Sequence, residues 1–128
     1  MIESVVVSPP NSLLLIMDPS FGVVPESMEG GLIQSTSTCV AIGTLSEFDG
    51  ETKVVLTNSR PADPNLFLVF DGQVATPNLL LSVCTVDHDQ TIATVVSSNC
   101  TNIEVWVNHS EEPNLIVVFM PLCQSSSQ

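Results

Sequence analysis

The sequence predicts an all-β protein, an antiparallel β-sandwich of eight or nine strands, with a small closed barrel as the competing architecture. Two observations predict it. Short runs rich in valine, isoleucine, leucine and threonine recur along the chain and are bounded by Gly, Pro, Asn or Asp, as in antiparallel sheets. No window of helical length carries an apolar stripe repeating every three to four residues, apart from a single turn at PESMEG (25–30).

The predicted strands follow the chain in order. The first two are SVVV (4–7) and SLLLIM (12–17). Seven more runs follow: TCVAIGTL (38–45), KVVLTN (53–58), LFLVF (66–70), LLLSVCTV (79–86), TIATVVSS (91–98), IEVWVN (103–108) and NLIVVFM (114–120). Several runs are apolar at consecutive positions, which is typical of strands inside a two-sheet sandwich or of strands whose outer face is covered.

Length and charge restrict the class of protein. A chain of 128 residues, 44% of them hydrophobic, can bury one core, so residues 1–122 are expected to form a single domain. The polar tail at 123–128 is expected to be flexible. Fourteen Asp and Glu against two Lys and Arg give a net charge of −12. This balance argues against binding to nucleic acid or an anionic membrane, and favours basic proteins, cations or plain solubility.

The N-terminus and the cysteines indicate a cytoplasmic protein. The first twenty residues lack a basic stretch, and Pro9 and Pro10 interrupt their apolar run, which argues against a signal peptide. No apolar run approaches membrane-spanning length. The four cysteines form no CxxC pair and are expected to be reduced, with Cys39 and Cys84 in the core. Few charges lie within the strands, so homodimerisation through sheet edges is compatible with the sequence.

Most of the charge falls in the turns. EFDGE (47–51), Asp71-Gly72, VDHDQ (86–90) and NHSEEPN (108–114) are interpreted as hairpins, and hairpin-linked strands alternate in direction. These connections are therefore predicted at one end of the domain, the acidic pole. If 66–76 is one unbroken strand, the Asp71-Gly72 turn does not exist, and EFDGE is predicted at the opposite end from VDHDQ and NHSEEPN. The candidate partner-binding residues are Glu47, Asp49, Glu51, Asp71, Asp87, His88, Asp89, His109, Glu111 and Glu112.

Three roles are compatible with such a pole. Metal binding would use its carboxylates and imidazoles, but no DxDxDG, HxH or HExxH spacing is present, so no metal and no cofactor is predicted. Catalysis would need a nucleophile beside a histidine, and no GxSxG elbow occurs, so no enzyme is predicted. Binding of a basic protein needs only clustered carboxylates on a rigid scaffold. Solubility alone explains the same clustering and stays open.

Three segments resemble a known family in strand order and acidity. GGLIQSTSTCVAIGTL (30–45), GETKVVLTN (50–58) and LLLSVCTVDHDQTI (79–92), with the acidic segment PESMEGGLIQ (25–34), are similar to the competence-J family of nuclease inhibitors. The resemblance implies a small, acidic, cytoplasmic bacterial β-sandwich that blocks a nuclease, and it assigns no role to any single residue. We therefore expect a non-enzymatic inhibitor of a basic partner such as a nuclease. The alternative is a calcium-dependent or other metal- or ligand-binding sandwich module.

Overall fold

Two five-stranded β-sheets pack face to face in the computed structural model, which describes residues 2–25, 31–87 and 90–121. This confirms the predicted sandwich. The described residues form ten strands: β1 (Ile2–Val7), β2 (Leu13–Met17), β3 (Ile33–Ser35), β4 (Cys39–Gly43), β5 (Thr52–Thr57), β6 (Phe67–Ala75), β7 (Leu80–Thr85), β8 (Gln90–Val95), β9 (Cys100–Val107) and β10 (Leu115–Phe119). The hydrophobic pattern does not predict β3, because a strand of three residues is too short to show one. The predicted boundary at residue 122 lies outside the described residues.

The order of the strands distinguishes two sheets rather than a closed barrel. The first sheet runs β1-β5-β10-β9-β6, and the second sheet runs β3-β4-β2-β7-β8. All neighbouring strands are antiparallel except β5 and β10, which are parallel with Lys53 opposite Leu115. β1 lies against β8 and β4 lies against β6, so the two sheets are stacked face to face.

The main core lies between the sheets. Each central strand contributes alternate residues to it, as the two-residue period of a strand requires. Its fully or nearly fully buried members are Leu14, Ile16, Val40, Ile42, Val54, Leu56, Val74, Leu81, Val83, Ile92, Ile103, Val105, Val107, Ile116 and Val118. Burial of these aliphatic side chains is the main source of stability, at about 1.5–3 kcal/mol for each fully buried side chain.

Three strands of the second sheet are buried on both faces. Residues of β2, β4 and β7 that point away from the main core form an outer apolar cluster: Leu15, Met17, Cys39, Ala41 and Cys84. The chain after β2 lies over this cluster. Gly22 approaches Met17 so closely that a Cβ at residue 22 would collide with the methionine side chain. The Val23 N–H donates to Thr38 Oγ1 at 2.8 Å and holds the segment in place. The double burial accounts for the consecutive apolar residues of these strands.

Asp18 ties the end of β2 to the connection between β6 and β7. Its side chain is fully buried. Oδ2 accepts a hydrogen bond from the Asn78 backbone N–H at 2.8 Å, and Oδ1 accepts one from the Asn78 side-chain amide at 3.2 Å. The Ser20 N–H also donates to Oδ1 at 3.2 Å. A buried carboxylate is tolerated here because hydrogen bonds replace its hydration.

The cysteines predicted to lie in the core do so. Cys39 and Cys84 are buried, free thiols in the outer apolar cluster. Burial raises the pKa of Cys39 to about 12, with a smaller contribution from Cys84. Burial also raises the pKa of Cys84. Both groups are therefore protonated near neutral pH and are poor nucleophiles. Cys100 is exposed and free, and Cys123 lies outside the described residues.

The outer face of the first sheet is crossed by the segment 58–66, which links β5 to β6. Arg60 extends from this segment and binds Glu104 of β9, with Nη2 at 2.8 Å from Oε2 and Nε at 3.3 Å from Oε1. The Trp106 indole N–H donates to the same Oε1 at 3.0 Å. The Arg60 guanidinium carbon lies 5.1 Å from the centroid of the Phe119 ring. These contacts hold the crossing segment against β9 and β10.

We expect the stability lost in Arg60→Gln to depend on pH. The hydrogen bond from Arg60 holds the pKa of Glu104 below its ordinary value, the Trp106 hydrogen bond adds to this, and burial opposes it. A carboxyl whose folded-state pKa is lowered contributes stability above its unfolded pKa of about 4.3. That contribution is lost as the pH falls through the folded-state pKa. Urea unfolding should therefore show a larger loss at pH 7 than at strongly acidic pH.

Lys53→Gln is the control for Arg60→Gln, because Lys53 is exposed and forms no ion pair with a described residue. It removes the same charge and should have little effect at either pH. An equal loss of stability for Arg60→Gln at both pH values would contradict the assigned role of the ion pair.

Buried hydroxyls give a second test. The Thr52 hydroxyl is buried between the sheets and has no hydrogen-bond partner among the described residues. The hydroxyls of Thr101 and Thr76 lie 2.8 Å apart. An unpaired buried hydroxyl costs about 1–3 kcal/mol, so Thr52→Val should raise the free energy of unfolding by roughly 1 kcal/mol. Thr101→Val should lower it by a similar amount, because it leaves Thr76 with one hydrogen bond fewer. Urea unfolding measures both changes. A loss of stability in Thr52→Val as well as in Thr101→Val would contradict the prediction that the Thr52 hydroxyl is unpaired and the Thr101 hydroxyl is paired.

Candidate functional site

Two acidic connections lie side by side at one end of the sandwich. The connection 44–51 leads from β4 in the second sheet to β5 in the first sheet, and it ends beside the β9–β10 hairpin because β5 and β10 are parallel. The Leu45 N–H donates to the Pro113 carbonyl at 3.0 Å, and the Lys53 N–H donates to the Asn114 carbonyl at 2.8 Å. Leu45 near the start of 44–51 and Lys53 in β5, just after its end, are thus both bonded to the hairpin.

The β7–β8 hairpin lies at the same end. Leu14, near the start of β2, pairs with Ile42 on one side and with Thr85 on the other. β4 and β7 therefore end at the same end of the second sheet. The connection 44–51 starts from β4, and the β7–β8 hairpin starts from β7. Asp87, directly after β7, and NHSEEPN are thus at one end, and EFDGE lies with them.

The structure brings seven of the ten candidate residues to this acidic pole. They are Glu47, Asp49, Glu51, Asp87, His109, Glu111 and Glu112. All are exposed except Glu47, which is half-buried. His88 and Asp89 lie outside the described residues. Lys53, at the start of β5, is two residues from Glu51 in the sequence and forms no ion pair with a described carboxylate.

Asp71 is not at the acidic pole, and the predicted Asp71-Gly72 hairpin is wrong. β6 continues unbroken through both residues, and Asp71 stands opposite Glu104 of β9. The glycine serves close packing rather than a turn, since a Cβ at Gly72 would lie 2.8 Å from Cζ of Phe70. Long pairing with β9 overrides the local turn signal.

The assumption that EFDGE is a hairpin is also wrong. β4 and β5 belong to different sheets, so 44–51 is a crossing between sheets. Because it is no hairpin, the alternation of directions does not apply to it. The unbroken β6 therefore does not move EFDGE to the opposite end.

Side chains fix the shape of the β9–β10 hairpin. Asn108 Oδ1 accepts hydrogen bonds from the N–H groups of Asn114 and Leu115, each at 3.2 Å. Its Nδ2 donates to Asn114 Oδ1 at 2.7 Å. His109 Nδ1 accepts from the N–H groups of Glu111 at 3.1 Å and Glu112 at 3.0 Å. The imidazole therefore organises the turn, and these bonds assign its proton to Nε2.

The connection 44–51 presents an apolar side chain that sequence reasoning missed. The Asp49 N–H donates to the Ser46 carbonyl at 2.9 Å, and the Phe48 N–H donates to Ser46 Oγ at 3.2 Å. Gly50, with φ of 155°, then turns the chain into β5. At the tip of this turn, Phe48 is 90% exposed. One feature of the sequence could have indicated this exposed side chain. Phe48 stands between Glu47 and Asp49 in a turn, and it belongs to none of the apolar runs that predict strands.

Two open cavities flank the ends of the sandwich. One, of about 660 Å³, lies beside the acidic pole and is lined by Asn11, Ser12, Leu13, Gly31, Leu32, Gly43, Ser110 and Glu111. The other, of about 460 Å³, lies at the opposite end and is lined by Asn58, Gln73, Cys100, Met120, Pro121, and residues 94–98, 101 and 102. Neither lining includes a histidine, so neither cavity pairs a nucleophile with an imidazole base.

The described ranges contain no group of three or more His, Cys, Asp or Glu side chains that could hold a metal ion. The carboxylates of the acidic pole are spread over three connections and do not converge on one point. Such an arrangement suits contact with an extended basic surface rather than coordination of an ion. No helix in the described part of the chain is long and apolar enough to span a membrane.

Comparisons with known proteins yield structural relatives only. A search with protein-family models and a search of curated proteins found no match. Among solved structures, the fold is similar to ComJ, inhibitor of the DNA-degrading activity of NucA from Bacillus subtilis, with a TM-score of 0.56 and 7% identity over 94% of this chain and 98% of ComJ. A protein named crocagin biosynthetic gene J also has a TM-score of 0.56, with 16% identity over 94% of this chain and 97% of its own. The expected resemblance to competence-J proteins is thus confirmed for the fold.

His109→Ala should loosen the β9–β10 hairpin. The substitution removes the acceptor for two backbone N–H groups, and a hydrogen bond of this kind contributes about 1 kcal/mol. We expect a loss of about that size in the free energy of unfolding and faster hydrogen exchange at the Glu111 and Glu112 amides. Ser110→Ala, in the same turn, is the control and should change neither. Unchanged exchange in His109→Ala would contradict the structural role of the imidazole.

Proposed function

We propose that this chain is a non-enzymatic, inhibitor-like binding protein whose acidic pole engages a basic protein partner, such as a nuclease. The observation that carries the proposal is that three acidic connections lie at the same end of the sandwich. The parallel pairing of β5 with β10 and the two backbone bonds to Pro113 and Asn114 support a fixed arrangement of two of these connections. A fixed surface binds a partner with a smaller loss of conformational entropy than a flexible one.

Charge supports the choice of partner. Glu47, Asp49, Glu51, Asp87, Glu111 and Glu112 form no ion pair with a described cation. Their mutual repulsion opposes folding, and a basic partner relieves it on binding. Clustered charge of one sign also accelerates encounter with a partner of the opposite sign. A nuclease that binds the DNA polyanion presents such a basic surface.

The structural comparison supports the class of role. ComJ inhibits the DNA-degrading activity of NucA, and the structural similarity to it extends over 94% of this chain. At 7% identity this support is an analogy between folds, and the role itself rests on the acidic surface.

The chemistry of the candidate nucleophiles supports a role without catalysis. His109 Nδ1 is occupied by two backbone N–H groups, so that nitrogen is not available as a base. Cys39 and Cys84 are buried and protonated near neutral pH. Cys100 is exposed, but its thiol donates to Gln73 Oε1 at 3.3 Å and has no imidazole in the cavity it lines.

No observation in the described residues favours the metal-binding alternative, so no second function is proposed. A cytoplasmic location and homodimerisation through the sheet edges stay predictions from the sequence. The edges available for such pairing are β1 and β6 of the first sheet and β3 and β8 of the second.

Neutralising the acidic pole should abolish binding without unfolding the protein. We expect the triple variant Asp49→Asn, Glu111→Gln, Glu112→Gln to be at least as stable as the wild type, because like-charge repulsion is relieved. In affinity capture from a bacterial lysate, wild type should retain basic proteins that this variant does not. Retention should weaken from about 0.01 M to about 0.15 M salt, as the Debye length falls from roughly 30 Å to roughly 8 Å. Retained proteins are then assayed for DNA-degrading activity and for its inhibition by wild type.

The matched control changes the same number of charges elsewhere. Glu3→Gln, Asp63→Asn, Asp71→Asn alters exposed carboxylates in β1, in 58–66 and in β6. It should bind like wild type. If both triple variants lose the same proteins, net charge rather than the acidic pole is responsible. If both keep them, the acidic pole has no part in binding.

A further inference from the structure

Phe48 is the most exposed large apolar side chain in the described part of the chain. It is 90% exposed, whereas Phe21 and Phe67 are 47% and 41% exposed. The hydrophobic effect disfavours a phenylalanine ring left in water, and Phe48 belongs to neither apolar cluster of the fold. Packing against the described residues therefore does not account for the ring.

The backbone under Phe48 is well fixed. Ser46 accepts hydrogen bonds from the N–H groups of both Phe48 and Asp49. The base of the connection is bonded to the β9–β10 hairpin through Leu45 and Pro113. The ring consequently projects from a braced turn, so its insertion into a partner requires little ordering of this backbone.

The charges next to Phe48 define what the ring can enter. Glu47 and Asp49 flank it in the chain, and Glu51 follows in the same connection. A pocket that accepts this ring brings its rim against carboxylates. An acidic or neutral apolar rim would leave those carboxylates repelled or desolvated without partners, whereas lysine and arginine would pair with them.

We propose that Phe48 is the apolar anchor of the acidic pole and enters an apolar pocket rimmed by lysine and arginine on a basic protein. The inference rests on the proposed function and adds a division of labour to it. The carboxylates attract the partner and set the salt dependence of association, and the buried ring slows dissociation. Aromatic side chains surrounded by polar groups are the usual centres of binding energy in protein interfaces.

Two synthetic lysine-rich peptides of equal length and charge provide the probe. One carries leucines at regular intervals, and the other carries serines at the same positions. Calorimetry at low salt should show that wild type binds the leucine peptide roughly 10-fold more tightly than the serine peptide. Phe48→Ala should bind both peptides as weakly as wild type binds the serine peptide. Phe48→Leu should keep part of the preference.

Phe21→Ala is the matched control. It removes the same side chain from the segment that follows β2 and should keep the full preference for the leucine peptide. The circular dichroism of all variants should match wild type, since neither Phe48 nor Phe21 belongs to the two apolar clusters of the described residues.

The outcomes separate the anchor from the acidic pole. Equal binding of both peptides by wild type overturns the anchor and leaves the proposed function standing. A leucine preference that persists in Phe48→Ala also overturns the anchor. Failure of wild type to bind either peptide at low salt overturns the proposed function, and the anchor with it.

Discussion

The parallel pairing of β5 with β10 is the constraint on which the acidic pole depends. Because both strands start at the same end, the connection that enters β5 must lie beside the hairpin that enters β10. An antiparallel pairing would have started β5 at the opposite end of the sandwich. The same constraint makes β5 and β6 parallel within one sheet, so the chain returns over the outer face through 58–66. Glu104 and Phe119 are covered for this reason.

The fold was predictable where local pattern and long-range pairing agree. The apolar runs correspond to strands, and VDHDQ and NHSEEPN do join antiparallel neighbours. The Asp71-Gly72 signal failed because β6 pairs with β9 from Phe67 to Ala75, and eight paired positions outweigh a two-residue turn preference. No local pattern reveals that β4 and β5 belong to different sheets, since that assignment depends on partners distant in sequence.

The candidate site was predictable in composition but not in geometry. EFDGE does lie at the acidic pole, although the hairpin argument that put it there does not hold. Sequence alone could not show that His109 bonds its own turn, because that role depends on the conformation of 109–112. Phe48 was missed because a pattern search treats apolar residues as strand or core, and its exposure follows from the turn at Ser46.

The place of β10 has a consequence for how the chain folds. β10 follows the nine other strands of the described residues in the sequence, yet it is the central strand of the first sheet, between β5 and β9. β1 and β5 cannot join β9 and β6 until it arrives. During synthesis on a ribosome, all strands of the second sheet emerge before β10. Until β10 emerges, the edges of β5 and β9 that pair with it stay unpaired. Non-local pairing of this kind slows folding, and strand edges that are still unpaired favour aggregation.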